Sequence, residues 1–182
     1  AGNINGAPFD INLRTPARKG LDALEYLLFN ENLNHSCTGA TFPSGWDNRS
    51  DQARKIARCQ FATEVAGDIN SNAQVLIEEW NGDNGFVSVL KTAGSTDNEF
   101  ANEHEAVNHL SDAMFYIDSI TKDGKLATPL GLFANECGAE PCAEAVESPY
   151  ARNSLNNILH NLLSLQKLYS GEEGIGFDDF LV

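Results

Sequence analysis

Asp22 and Glu25 stand three residues apart in Arg18-Lys19-Gly20-Leu21-Asp22-Ala23-Leu24-Glu25-Tyr26-Leu27-Leu28-Phe29, where Leu21, Leu24 and Leu28 recur at helical spacing. At about 100° per residue the two carboxylates lie about 60° apart on such a helix and could converge on one cation. Glu25 falls beside the leucine stripe, and leaving a buried carboxylate unpaired costs several kcal/mol, so the pattern predicts a partner for it. Arg18, one turn before Asp22, offers the plainer alternative of an Arg18–Asp22 surface pair, with Glu25 bonded to a neighbouring helix.

Histidines supply a second candidate chemistry. The run Glu103-His104-Glu105-Ala106-Val107-Asn108-His109 approaches the zinc-protease pattern HExxH but places the second histidine one residue late. His104 and His109 then diverge by about 140°, too far to chelate one ion on an unbroken helix. His104, flanked by Phe100 and Val107, is expected as a core histidine or as one ligand to a metal held mainly by other helices. His109 and His160 fall opposite their apolar stripes, and His35 sits in a loop. The chain carries no G-x-S-x-G elbow, phosphate loop or dinucleotide fingerprint. Its aromatics read as packing anchors.

Sulfur is the third candidate. The four cysteines contain no C-x-x-C, and only Cys137 and Cys142 are close, which argues against both a tetrathiolate zinc site and dithiol redox catalysis. Three connectivities are open, and the most economical pairs Cys37 with Cys59 and Cys137 with Cys142. Paired cysteines imply an oxidising compartment. The first residues have no basic or strongly apolar region, so any signal peptide is expected to have been removed or to lie outside this sequence.

These groups must be positioned by helices. The first 14 residues read as an extended lead. Thr15-Pro16 opens a helix of about 16 to 30, and a loop rich in turn formers follows to about residue 48. Ser50 caps a second helix over about 51–81, whose stripe is Ile56, Cys59, Ala62, Ala66, Ile69, Ala73, Leu76, Ile77 and Trp80. A short helix over 86–92 precedes a long one that starts at Ser95 or Thr96 and stops before Lys122-Asp123-Gly124. A second long loop holds the close cysteines. Ser148-Pro149 opens the last helix, with Leu155, Ile158, Leu162, Leu165 and Tyr169 on its face and Gly171 as its stop. No alternating strand pattern interrupts the helices. The expected fold is all-α, a bundle of long up-down helices with disulfide-tied loops.

Composition sets the outer limits. With 182 residues, 42% hydrophobic and 21% charged, the chain can bury a core and is not of disordered type. No segment approaches the roughly 18 apolar residues that begin to suggest a membrane helix. The formal charge of −14 repels polyanions, so nucleic acid is a poor partner, whereas a metal ion or a basic partner is compatible.

The segment Arg18 to Phe29 resembles the signature helix of the imelysin family, whose motif is G-x-H-x-x-E followed by an apolar stretch. Asp123-Gly124-Lys125-Leu126-Ala127-Thr128-Pro129-Leu130-Gly131 resembles the family's D-x-K-L-x-x-P-L-G loop. Glu147-Ser148-Pro149-Tyr150-Ala151-Arg152, continuing through Ile158, resembles its entry to the next helix. The resemblance implies an all-α fold of two helical bundles and export to the periplasm or beyond, with the lipid anchor that many precursors of the family carry. It further implies a role in iron or haem uptake, with a metal ion, haem or a periplasmic or outer-membrane protein as partner. Residues 1–182 then read as a single helical domain, a truncated or processed portion of a longer protein. Gly20 and Glu25 match the motif, and Asp22 stands where the family has histidine. That exchange favours iron or another hard divalent cation over zinc and removes the imidazole that would serve as base near pH 7. The expected function is non-catalytic binding near the first helix. The alternatives are a metal-dependent peptidase of the imelysin type and a structural or interaction module without a ligand.

Overall fold

The computed structural model describes residues 10–35, 37 and 45–180. Among them no strand forms, and the one isolated bridge pairs Asn135 with Gly138. The fold is all-α, the helical-bundle class expected. The chain divides into two compact units, one running up to Glu79 and the other starting at Trp80.

In the first unit, most of the expected extended lead, residues 1–9, lies outside the described residues. Of the remainder, Ile11–Leu13 form a 3-10 turn capped by the Asp10 carboxylate, which accepts from the Asn12 N–H. The first helix comes in two pieces rather than as one helix over 16–30. A 3-10 turn, Pro16–Arg18, is followed by α1, Leu21–Phe29, with Gly20 as its extended N-cap. Proline fixes the entry turn, and the Lys19-Gly20 step breaks the helical path before the Gly20 carbonyl accepts the first α-helical bond, from the Leu24 N–H at 3.1 Å. Leu21 and Leu28, expected on a buried stripe, are exposed.

The second helix, α2, spans Asp51–Asn81 as predicted, and the Ser50 hydroxyl accepts from the Ala53 N–H at 3.3 Å. Its buried face shares only Ala62 with the predicted stripe. Arg54, Arg58, Ala62 and Val65 are buried, whereas Ile56, Leu76, Ile77 and Trp80 of the expected stripe are exposed. Helical spacing identifies an apolar face but not the face that a neighbour covers. Here the cover is polar backbone, and arginine satisfies it.

The second unit opens with α3, Phe86–Lys91, close to the predicted short helix. Phe100, 3% exposed, anchors an aromatic cluster: Trp80 meets Phe86 edge-on at 5.3 Å, Phe86 meets Phe100 at 6.1 Å, and Phe100 meets the His109 ring at 5.2 Å. Next comes α4, Glu103–Met114, which begins later than Ser95 because Asn102 is the true cap. The Asn102 side-chain oxygen accepts from the Glu105 N–H at 3.0 Å, and the Glu105 carboxylate accepts from the Ala101 N–H at 2.7 Å. The helical path also runs past its expected stop. A π-helix, Ile117–Ala127, carries through Lys122-Asp123-Gly124 and closes where the Thr128 N–H and hydroxyl both donate to the Asp123 carbonyl. The last long helix, α5, spans Ser154–Ser170 and packs on the π-helix. It begins after Ser148-Pro149 rather than at it, because Ser154 is used as a loop anchor, its hydroxyl accepting from the Ser148 N–H at 2.9 Å. Gly171 ends it as expected, in the left-handed conformation at φ 64°.

Candidate functional site

The site residues predicted on α1 occupy its first two turns. Asp22 is exposed in the first turn, where a negative charge suits the helix N-terminus. Glu25 is half-buried and engaged by a partner, as its flank position predicted. Among the described ion pairs, Lys19 rather than Arg18 carries the salt bridge of this segment. Its ammonium sits 3.0 Å from the Asp68 carboxylate of α2, tying the motif's entry to the long helix.

Beyond α1, the two buried arginines of α2 hold the following loop. Arg58 donates from one terminal nitrogen to the Asn30 carbonyl at 2.6 Å and from the other to the Asn32 carbonyl. Its guanidinium also lies 5.4 Å from the centre of the Tyr26 ring. Asn30 is the C-cap of α1, so Arg58 places a cation at the negative end of that helix. Arg54 donates to the Arg49 and Asp47 carbonyls at 3.2 and 3.0 Å and to the Asn34 side chain at 3.1 Å. The Trp46 indole N–H closes the turn on the Leu33 carbonyl at 2.9 Å. A planar fork of donors suits this task, because neighbouring carbonyls of one loop can be satisfied together.

This arrangement leaves an open cleft of about 370 Å³ at the C-terminal end of α1. Its apolar lining includes Leu27, Leu28, Phe29 and Leu33, and Lys55, Arg58 and Cys59 of α2 line it too. Glu25 lies one turn before its wall. An apolar body carrying an acidic group fits that lining: hydrocarbon against leucine and phenylalanine, an anion near Lys55 and Arg58, and a soft sulfur within the same cleft. Arg58 and the cleft escape a reading based on apolar periodicity, although Arg54 and Arg58 at i and i+4 beside a turn-rich loop were a visible signal.

Two other predictions need correction. Cys37 and Cys59 are free and exposed rather than joined: α2 turns Arg54 and Arg58 onto the loop, and Cys59 stands exposed where it lines the cleft. The Cys137–Cys142 bond is present as expected, with the α-carbons 5.7 Å apart. His104 is exposed on α4 and is not a core histidine, since Ala106 is the residue that this helix buries. Among the described residues, the group of three or more metal-ligating side chains whose ligand atoms lie within 4.8 Å of one another is Cys137, Cys142 and Glu144.

The second unit explains the segment Asp123 to Gly131. Lys125 reaches from the π-helix to the Glu147 carboxylate at 2.8 Å and the Asn161 side-chain oxygen of α5 at 2.9 Å. Burial pulls its ammonium toward a lower pKa, but the hydrogen bond and charge of Glu147, with Tyr116 adding to the same side, outweigh that and raise it. Tyr116 and Asn161 also line a smaller cleft of about 160 Å³ with Met114, Ile117, Leu165 and Leu168. The Pro129 carbonyl accepts from the Cys142 N–H at 2.8 Å. Gly131, at φ 76°, leaves no room for a side chain, since a β-carbon would stand 2.6 Å from the Glu140 carbonyl carbon. The segment therefore joins the π-helix, α5 and the disulfide loop.

The family model described as Imelysin, of the M75 peptidase group, matches residues 5–182. No curated protein and no solved structure matches the chain significantly.

Proposed function

The chain belongs to the imelysin family, and from that premise we propose that it is a non-catalytic binding protein that holds iron as haem in the α1–α2 cleft. Members of the family are extracytoplasmic, and no described helix is long and apolar enough to cross a membrane. The observation that carries the reading is the cleft lining: Leu27, Leu28, Phe29 and Leu33 offer an apolar wall, while Lys55, Arg58 and Cys59 offer cations and a thiol. Haem is an apolar macrocycle with two acidic side chains and an iron that accepts thiolate ligands. Its hydrophobic faces would meet the leucines and Phe29, its carboxylates would meet Lys55, and the Cys59 thiol would ligate the iron. Two features support binding over hydrolysis. Asp22 occupies the position of the family's histidine, which withholds a neutral imidazole base, and it stands exposed on the first turn of α1.

Glu25 favours a second reading, in which α1 holds iron or another divalent cation through Asp22 and Glu25. Calorimetric metal titration of the protein and of an Asp22→Ala, Glu25→Ala double variant separates the two. Loss of metal binding in the variant with haem binding intact supports both sites, and equal metal binding in both proteins removes the acidic one. Chelator-sensitive cleavage of an unstructured protein substrate would overturn the non-catalytic assignment.

A further inference from the structure

We propose that the Cys137–Cys142 loop is a redox-gated metal site, closed as a disulfide and opened by dithiol reduction to bind one soft divalent cation, zinc by preference, through Cys137, Cys142 and Glu144. The Glu144 carboxylate lies 3.9 Å from the Cys137 sulfur and 3.7 Å from the Cys142 sulfur. A disulfide has no S–H to donate, so in the oxidised loop this acceptor faces both sulfurs without receiving a hydrogen bond from either. The three ligand atoms lie within 4.8 Å of one another. Tetrahedral zinc, with Zn–S near 2.3 Å and Zn–O near 2.1 Å, requires S···O separations of about 3.6 Å and S···S of about 3.8 Å. The carboxylate is thus already near its coordinating distance, and the sulfurs need only part. α-Carbons 5.7 Å apart allow that without rearranging the backbone.

The loop is also held by bonds that do not depend on sulfur. The Asn135 side-chain amide donates to the Thr128 and Glu140 carbonyls at 2.8 and 3.0 Å, and its oxygen accepts from the Cys137 N–H at 2.8 Å. Asn135 and Gly138 exchange backbone hydrogen bonds at 2.8 and 3.0 Å, and the Cys142 N–H is fixed on Pro129. Reduction therefore releases two thiols that remain neighbours, and the ordering entropy of assembling the ligands is already largely met.

The chemistry balances with a small dithiol as reductant. Its thiolate attacks the exposed Cys137 sulfur, the S–S bond breaks, and the buried Cys142 leaves as thiolate. The second thiol of the reductant attacks the mixed disulfide, frees Cys137 and leaves as a cyclic disulfide. Two electrons and two protons pass to the protein, and metal binding then releases the thiol protons. Solvent completes the coordination sphere, since Cys137 and Glu144 are exposed.

The test uses the full chain with Cys37→Ser and Cys59→Ser, which removes the other thiols, titrated with Co²⁺ before and after dithiol reduction and removal of the reductant. The expected result is a sulfur-to-cobalt charge-transfer band that saturates at one equivalent only in the reduced protein and is displaced by Zn²⁺. Adding Glu144→Gln should weaken binding by roughly tenfold or more. Adding Cys137→Ser instead, at an exposed position, should abolish the band while the far-ultraviolet circular dichroism is retained. No band after verified reduction, an equal band in the oxidised protein, or undiminished affinity in Glu144→Gln would each overturn the proposal.

Discussion

Replacing Arg58 by methionine keeps the aliphatic stem of a buried side chain and removes its charge and its fork. The wild-type guanidinium donates to the Asn30 carbonyl at 2.6 Å and to the Asn32 carbonyl, and lies 5.4 Å from the Tyr26 ring centre. Hydrogen bonds from a charged donor contribute about 1.5–3 kcal/mol each, and a partly desolvated cation–π contact adds about 0.5–2 kcal/mol. The loop is partly exposed, so water re-satisfies the released carbonyls and the lower ends of these ranges apply. The expected loss is about 3 kcal/mol. Arg58→Lys should lose about half as much, because one ammonium cannot span both carbonyls in the same geometry. Urea unfolding followed by circular dichroism reads the stability. Hydrogen exchange at the Asn32 and Asn34 amides, which donate to the side chains of Asn30 and Asn32, reads the loop itself. Both amides should lose protection in Arg58→Met and keep it in Lys55→Met, a change at an exposed neighbour. A loss below about 0.5 kcal/mol, the range of an ordinary surface substitution, would refute the claim that Arg58 holds the cleft wall.

Lys125→Met should cost about 2 kcal/mol near pH 7, less than for a fully buried pair because Glu147 is part-exposed. The pKa of Lys125 is raised in the folded state above the ordinary 10.5, so its contribution is complete below that value and is lost as pH rises through the folded pKa. The stability gap between wild type and Lys125→Met should therefore narrow above about pH 10.5, and a gap that stays constant in alkaline urea titrations contradicts the assignment. Gly131→Ala forces a β-carbon against Glu140 at a positive φ and should cost about 2 kcal/mol or more, read by thermal unfolding. Asn102→Ala removes the cap of α4 and should cost about 1 kcal/mol, with faster amide exchange at Glu105.

Residue patterns located α2 to the residue at both ends, because a serine cap and the absence of proline from its interior are local signals that tertiary packing does not override. They placed α4 and the onset of α5 less well. Ser95 and Ser148 resemble caps, but the bonds that decide run from the Glu105 N–H to the Asn102 side chain and from the Ser148 N–H to the Ser154 hydroxyl. Burial was the least legible property. Apolar spacing selected Ile56 and Leu76 on α2, and the structure buries Arg54 and Arg58, whose partners are mostly backbone carbonyls, groups that every residue carries and no side-chain pattern marks. The acidic pair on α1 was visible as a pattern, and Glu25 is engaged as expected. The cleft one turn further on was not, since it is made by the meeting of α1, its trailing loop and α2. Lys125 and Gly131 stood in a recognised segment, yet their tasks depend on Glu147, Asn161 and Glu140, which the order of the chain does not bring together.

The most direct test of the central claim is equilibrium titration with haemin, followed by Soret absorbance, of the wild type and of a Leu28→Asp variant that places a charge on the apolar wall of the cleft at an exposed position. Saturation at one equivalent in the wild type, with affinity reduced tenfold or more in a variant of unchanged circular dichroism, is the predicted result. Equal affinity in the two proteins, or no saturable binding in the wild type, would contradict it.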